Sequence, residues 1–131
     1  MAIFAVLAGI GGISVMQYLS TYEKKAATRM IISDLIKARI HAIKQRTPQT
    51  FKQLNTIKYR IENANDATDI LITRDFKDDY GWKGVTFESK TEPTFNIDGT
   101  INNISTIEVN PESSDPISIT MTITGNIKIA E

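Results

Sequence analysis

The chain has no cysteine and a single histidine, His41. Disulfide frameworks and thiol chemistry are therefore excluded, and no second histidine or cysteine is present to build a zinc site. His41 falls on the polar side of a helical pattern, where a solvated imidazole is the expectation. Nucleophilic catalysis lacks its partner, because no serine has a histidine at a suggestive position. Gly9, Gly11 and Gly12 do not follow a strand, so they form no phosphate loop. Asp75, Asp78 and Asp79 cluster as a calcium site would, but they miss the alternating ligand spacing of an EF-hand, and a solvated turn is expected. These residues point to no enzyme activity, no cofactor and no metal. Two further absences lie at the start: no proline precedes Pro48, and no charge precedes Glu23.

What is present there is one uninterrupted helical stretch, Met1–Gln45, with two unlike halves. At about 1.5 Å per residue it would be about 65 Å long, more than a domain this small needs for its own core. Residues 1–22 are uncharged, with Ile3, Phe4, Val6, Leu7, Ile10 and Ile13 as their bulk. Gly9 and Gly12 are points where another helix can approach closely. The run is borderline against the roughly 20 apolar residues of a membrane span. Tyr18 and Tyr22, followed by Lys24 and Lys25, form an interfacial belt and its charged border. A cleaved signal peptide would open on a basic region and close on small residues, and neither is clear here. This half is expected to be buried in a membrane or a bundle of sister helices.

Residues 23–46 are amphipathic. Laid out at about 100° per residue, Ile31, Ile32, Leu35, Ile36, Ala38, Ala42 and Ile43 share an arc of about 160°, with Ile40 at its edge. Ser33, Asp34, Lys37, His41 and Lys44 take the opposite side. So wide an arc predicts a covering sheet, with Ile31, Ile32, Leu35, Ile36 and Ile43 in the helix–sheet core. Arg39 lies inside the arc, where its stem should rest on the sheet and its head should reach a carboxylate or carbonyl. The helix should stop at Thr47-Pro48, since the residue before proline avoids the α region.

Past Pro48 the periodicity changes from 3.6 to 2, and residues 47–131 read as a β-rich body. Strands are expected at Thr50–Leu54, Ile57–Ile61, Ile70–Thr73, Trp82–Phe87, Thr94–Ile97 and Thr106–Val109. Asn63–Asp69 has the composition of a loop, and Asp98-Gly99 that of a turn. Ile117, Ile119, Met121 and Ile123 alternate with Ser and Thr before a Gly125-Asn126 turn and a return at Ile127–Ile129. The predicted class is α+β: a long helix, part membrane-embedded and part amphipathic, packed on an antiparallel sheet or small sandwich. Charge is divided sharply along the chain. Residues 1–60 hold ten Lys and Arg against two acids, and residues 61–131 hold five against thirteen. Formal charges of +8 and −8 let the acidic body meet a basic helix, in the same chain or in a neighbour.

Three stretches carry a resemblance: Ala38-Arg39-Ile-His-Ala42-Ile43 at the helix end, Phe95-Asn-Ile-Asp-Gly99-Thr100 in the body, and Gly125-Asn-Ile-Lys-Ile129 at the close. Behind a long apolar-then-amphipathic helix, this set resembles the GspH/FimT group, the H-type pseudopilins of type II secretion and related minor type IV pilins. Family members begin with a basic leader and a Phe-Thr-Leu-Ile-Glu-type start, upstream of the part that matches Ala2-Ile-Phe-Ala-Val-Leu-Ala8. Met1 is accordingly read as an internal start, or the chain as truncated.

The resemblance implies a pilin-like fold and a structural minor subunit of a pseudopilus or pilus. Its partners would be other pilin or pseudopilin subunits, the inner membrane, and prepilin peptidase if a leader exists upstream. Positive-inside counting of Lys24, Lys25 and Arg29 alone would put the body in the cytoplasm. The resemblance instead implies a bacterial inner-membrane protein, single-pass, with its body outside the cytoplasm, later in the filament. The alternative is a membrane-anchored binding module, such as a minor pilin binding DNA for uptake. That would need a cationic patch on the body. Residues 91–131 hold one basic residue, Lys128, against six acids. Arg60, Arg74, Lys77, Lys83 and Lys90 would have to cluster, and nucleic acid is not the expected partner.

Overall fold

The computed structural model describes the backbone of residues 2–113 and 115–130, and the side chains from Thr21 onward. Helix α1 runs Ala2–Gln45. Its end is built from two features: Arg46 adopts a left-handed φ of 51°, and the Thr47 amide donates back to the Ala42 carbonyl at 3.2 Å. This closes the last turn in the Schellman manner, and Pro48 prevents continuation.

Eight strands follow: β1 Gln49–Asn55, β2 Lys58–Asn63, β3 Asp66–Asp75, β4 Phe87–Ser89, β5 Thr94–Phe95, β6 Ser105–Val109, β7 Ile117–Met121 and β8 Ile127–Ala130. They form two four-stranded antiparallel sheets, ordered β3-β2-β1-β5 and β4-β6-β7-β8. The sheets are joined through Gln53 of β1, whose side-chain amide imitates a neighbouring strand. It donates to the Phe87 carbonyl and accepts from the Ser89 amide, each at 3.0 Å. The Phe87 amide completes the seam by donating to the Thr56 carbonyl at 2.8 Å.

Alternation fills the core from both sheets. Phe51, Tyr59, Ile61 and Phe95 come from the first, and Phe87, Ile107, Val109, Ile117, Ile119 and Met121 from the second. At their junction Phe51 stacks on Tyr59 with centroids 4.8 Å apart, while Phe76 and Phe87 meet edge to face at 5.5 Å. Helix α1 lies over this layer and touches β1, β5, β6 and β7. Its buried line is Ala27, Ile31, Leu35, Ala38 and Ala42.

That line is narrower than the expected arc. Ile31 and Leu35 are fully buried and Ile32 packs at the margin, but Ile36 and Ile43 are 46% and 43% exposed, not core residues. The cause is the small Ala27, Ala38 and Ala42, which let the sheets approach along one ridge and leave the longer isoleucines beside it overhanging. Asp34 is a second correction: expected on the solvent side, it is 1% exposed.

Several strand limits also differ. β3 begins at Asp66, inside the expected loop, after register shifts between Ile61, Glu62 and Asn63 on its partner strand. Trp82–Thr86 is not a strand, because Trp82 stacks on Tyr80 at 4.7 Å and the Thr86 amide is taken by the Asn110 side chain. The closing hairpin turns over Thr122–Asn126, with the Thr122 amide donating to the Asn126 carbonyl, so Ile123 points outward at 54% exposure. Among the described residues no helix is long and apolar enough to cross a membrane. The residues expected in the membrane or filament, Ile3 to Ile13, lie outside those whose side chains are described.

Candidate assembly interface

The three motif stretches converge on Arg39. Its Nε donates to the Gly99 carbonyl at 3.0 Å, with the side chain half-buried between helix and body. Gly99 and Gly125 both hold left-handed φ, 86° and 90°. A Cβ on Gly125 would overlap the Gly99 carbonyl oxygen and lie 2.7 Å from Arg39 Nε. A Cβ on Gly99 would meet Ile43 Cδ1 at 2.9 Å and Arg39 Nε at 3.1 Å. Glycine is needed at both positions for conformation and for space. The turn that presents Gly99 is closed locally. The Asn96 amide donates to the Thr100 carbonyl at 2.7 Å, and the Gly99 amide to the Asn96 carbonyl at 2.9 Å. Asp98 accepts from the Thr100 hydroxyl at 2.6 Å and the Thr100 amide at 3.0 Å, which holds its carboxyl below the usual carboxylate range. Arg39 therefore clasps two separate turns of the body to α1.

A second tie was not legible beforehand. Buried Asp34 accepts from the Tyr59 hydroxyl at 2.6 Å, from Arg74 Nε at 2.9 Å and from Arg74 Nη2 at 3.1 Å. Arg74 Nη1 also donates to the Tyr80 hydroxyl at 2.8 Å. Burial, reinforced by the Asp34 charge and hydrogen bond, pushes the Tyr59 phenol far above its ordinary value. The hydrogen bond to Asp34 raises Arg74 as well. The one available signal was that Asp34 lies four residues before Ala38, which marks one edge of the apolar arc.

A third tie joins Lys24 to the body: its Nζ donates to the Asp115 carbonyl at 2.8 Å and sits 3.4 Å from the Asp115 carboxylate. Lys24 is thus used within its own chain. Lys25, Arg29, Lys37, Lys44 and Arg46 are exposed and enter no ion pair among the described residues. The cations of the body are divided: Lys58, Lys77, Lys83 and Lys128 enter no ion pair among the described residues, and others do. Arg60 pairs with Glu62 at 3.0 Å, Arg74 with Asp34 at 2.9 Å and Lys90 with Glu108 at 3.1 Å. The aspartate turn is self-satisfied: Asp75 accepts from the Lys77 and Asp78 amides, and Asp79 from the Asp75 amide.

On the β3 side of α1 lies a groove of about 360 Å³ between the last turns of the helix and that strand. Ile40, Leu71 and Ile72 make its floor, and Lys37, His41 and Lys44 its rim. Arg74 closes one end, its charge already balanced by Asp34. The opposite flank of α1 carries exposed Ile36 and Ile43.

A long amino-terminal helix packed on antiparallel sheet matches the type IV pilin fold. Two crystal forms of the type IV minor pilin FimU of Pseudomonas aeruginosa are similar to this chain. One aligns with a TM-score of 0.67 at 18% identity, covering 83% of this chain and 89% of that pilin. The other gives 0.64 at 18%, covering 82% and 92%. At this identity the likeness is one of fold. No protein-family model matches the chain, and no curated protein matches its sequence.

Proposed function

We propose that this chain is a structural minor subunit of a type IV pilus or a type II secretion pseudopilus, of the GspH/FimT kind, and not an enzyme. Its helix would rest in the inner membrane before assembly and pack among sister helices afterwards. The observation that carries this reading is the surface of the helix and its end in a pilin fold: five exposed cations that enter no ion pair among the described residues, set in a chain whose body is strongly acidic. A neighbouring subunit's body supplies the matching carboxylates when subunits stagger along a fibre. Binding of DNA is disfavoured because three of the five body cations it would draw on, Arg60, Arg74 and Lys90, are already paired with carboxylates, which leaves Lys77 and Lys83. The test follows the full chain in cells that make such filaments. It is expected in the membrane fraction and in sheared filaments, while a version starting at Glu23 stays soluble and unincorporated. A full chain found only in the soluble fraction would overturn the reading.

A further inference from the structure

We propose that Tyr22, Lys25 and Arg29 form a headgroup site for one anionic phospholipid while the helix rests in the membrane. The inference rests on the membrane-stored state in the reading above and names the lipid class that this surface selects.

The three residues share one face of α1, because steps of three and four residues return to the same side of a helix. All are exposed, Tyr22 at 56%. With Thr21 and Ala26 they line a hollow of about 200 Å³. Ala26 stands between Tyr22 and Arg29, and its small side chain leaves the hollow open. Two cations four residues apart on a helix repel each other. Neither Lys25 nor Arg29 enters an ion pair among the described residues, and no carboxylate lines the hollow. Asp115, which lines a smaller cavity with Lys25, is already held by Lys24. Glu23 is two residues from Lys25 and so lies on a different face. An anion from outside the chain is what this pair lacks.

The order of groups along the helix selects the kind of anion. Arg29 and Lys25 come first, about 6 Å apart along the axis. A guanidinium fork and an ammonium point charge together suit the oxygens of a phosphate. Tyr22 follows about 4.5 Å further towards the amino terminus, an aromatic ring with a polar tip of the kind found at membrane interfaces. Residues 2–21 beyond it carry no charge. At about 1.5 Å per residue they match the hydrocarbon thickness of about 30 Å. A phospholipid has its parts in the same order: phosphate, polar glycerol esters, apolar chains. A free phosphate or a protein carboxylate matches only the first of them. When the helix leaves the bilayer for a fibre, carboxylates of a neighbouring body take the place of the phosphate.

The test adds phosphatidylglycerol or phosphatidylcholine to the detergent-solubilised full chain and counts retained lipid by native mass spectrometry. Phosphatidylglycerol should be retained at least about tenfold more, as expected for two cations facing one anionic headgroup. The preference should disappear in Lys25→Gln/Arg29→Gln and persist in Lys37→Gln/Lys44→Gln, whose cations lie further along the helix. Excess inorganic phosphate should not displace the lipid. A parallel arm floats the full chain with vesicles of either lipid, and it should rise with both. Equal retention of the two lipids, a preference that survives Lys25→Gln/Arg29→Gln or is lost equally in Lys37→Gln/Lys44→Gln, or displacement by phosphate would overturn the headgroup site and leave the anchored filament subunit intact. A chain that floats with neither vesicle would overturn both.

Discussion

A guanidinium on the sheet-facing side of a helix is tolerated only where fixed acceptors meet its donors. Arg39 meets that condition because Gly99 and Gly125 leave room for it. Gly125→Ala combines a disfavoured left-handed conformation with overlap against a backbone oxygen, and should destabilise by more than about 2 kcal/mol. Chemical denaturation of the variant beside Gly84→Ala, which adds a Cβ into open space, would measure the difference. Burial separates neighbours on the helix just as sharply. Leu35→Ala should cost about 2–5 kcal/mol, as for a fully buried side chain, and Ile36→Ala under about 1 kcal/mol. Equal midpoints for the two would show that the sheet covers both. Tyr59 gives a pH signature. Its native value lies above its unfolded value near 10, so its contribution is intact below about pH 10 and is lost as pH rises further. Tyrosinate absorbance should therefore report Tyr59 ionising only together with unfolding. A Tyr59→Phe variant should show a shallower alkaline loss of stability.

At the scale of elements, Asp34 fastens α1 to β3 through Arg74 and to β2 through Tyr59. Arg74→Met would leave the buried carboxylate with Tyr59 as its one side-chain donor, and should cost about 3–5 kcal/mol in thermal unfolding. The helix and its stop were legible because they depend on local properties: unbroken periodicity, then Thr47-Pro48. The strand ladder of Ser105–Val109 against Ile117–Met121 was legible for the same reason, since each alternates cleanly with one face buried. The span from Trp82 to Thr86 was not. Its aromatic and β-branched residues favour strand, but the stack of Trp82 on Tyr80 and the Asn110 side chain, far along the chain, decide their conformation. Asp34 was missed for a related reason, as a helical wheel shows one face and not the arginine that waits on a strand forty residues later.

For the whole molecule, charge is divided between helix and body, and the two meet internally through Lys24–Asp115 as well as Asp34–Arg74. Lys24 and Lys25 were expected to act together, yet Lys25 alone is left for a neighbour. Reversing Lys25 and Arg29 to Glu should slow filament incorporation and flatten its dependence on salt, because exposed pairs steer association and are screened beyond about 8 Å. The melting point of the full chain should move by under about 1 kcal/mol equivalent, since neither residue has an ion pair among the described residues. A large fall in stability would place those cations on the chain's own body. The three ties at Lys24, Asp34 and Arg39 also have a mechanical meaning. They are spread over about 22 Å of a single helix, all on the side facing the body. A tug along the helix axis would strain them simultaneously, in shear, whereas lifting the helix from its Gln45 end would part them one after another. The body is thus fastened most firmly against a pull along the helix axis.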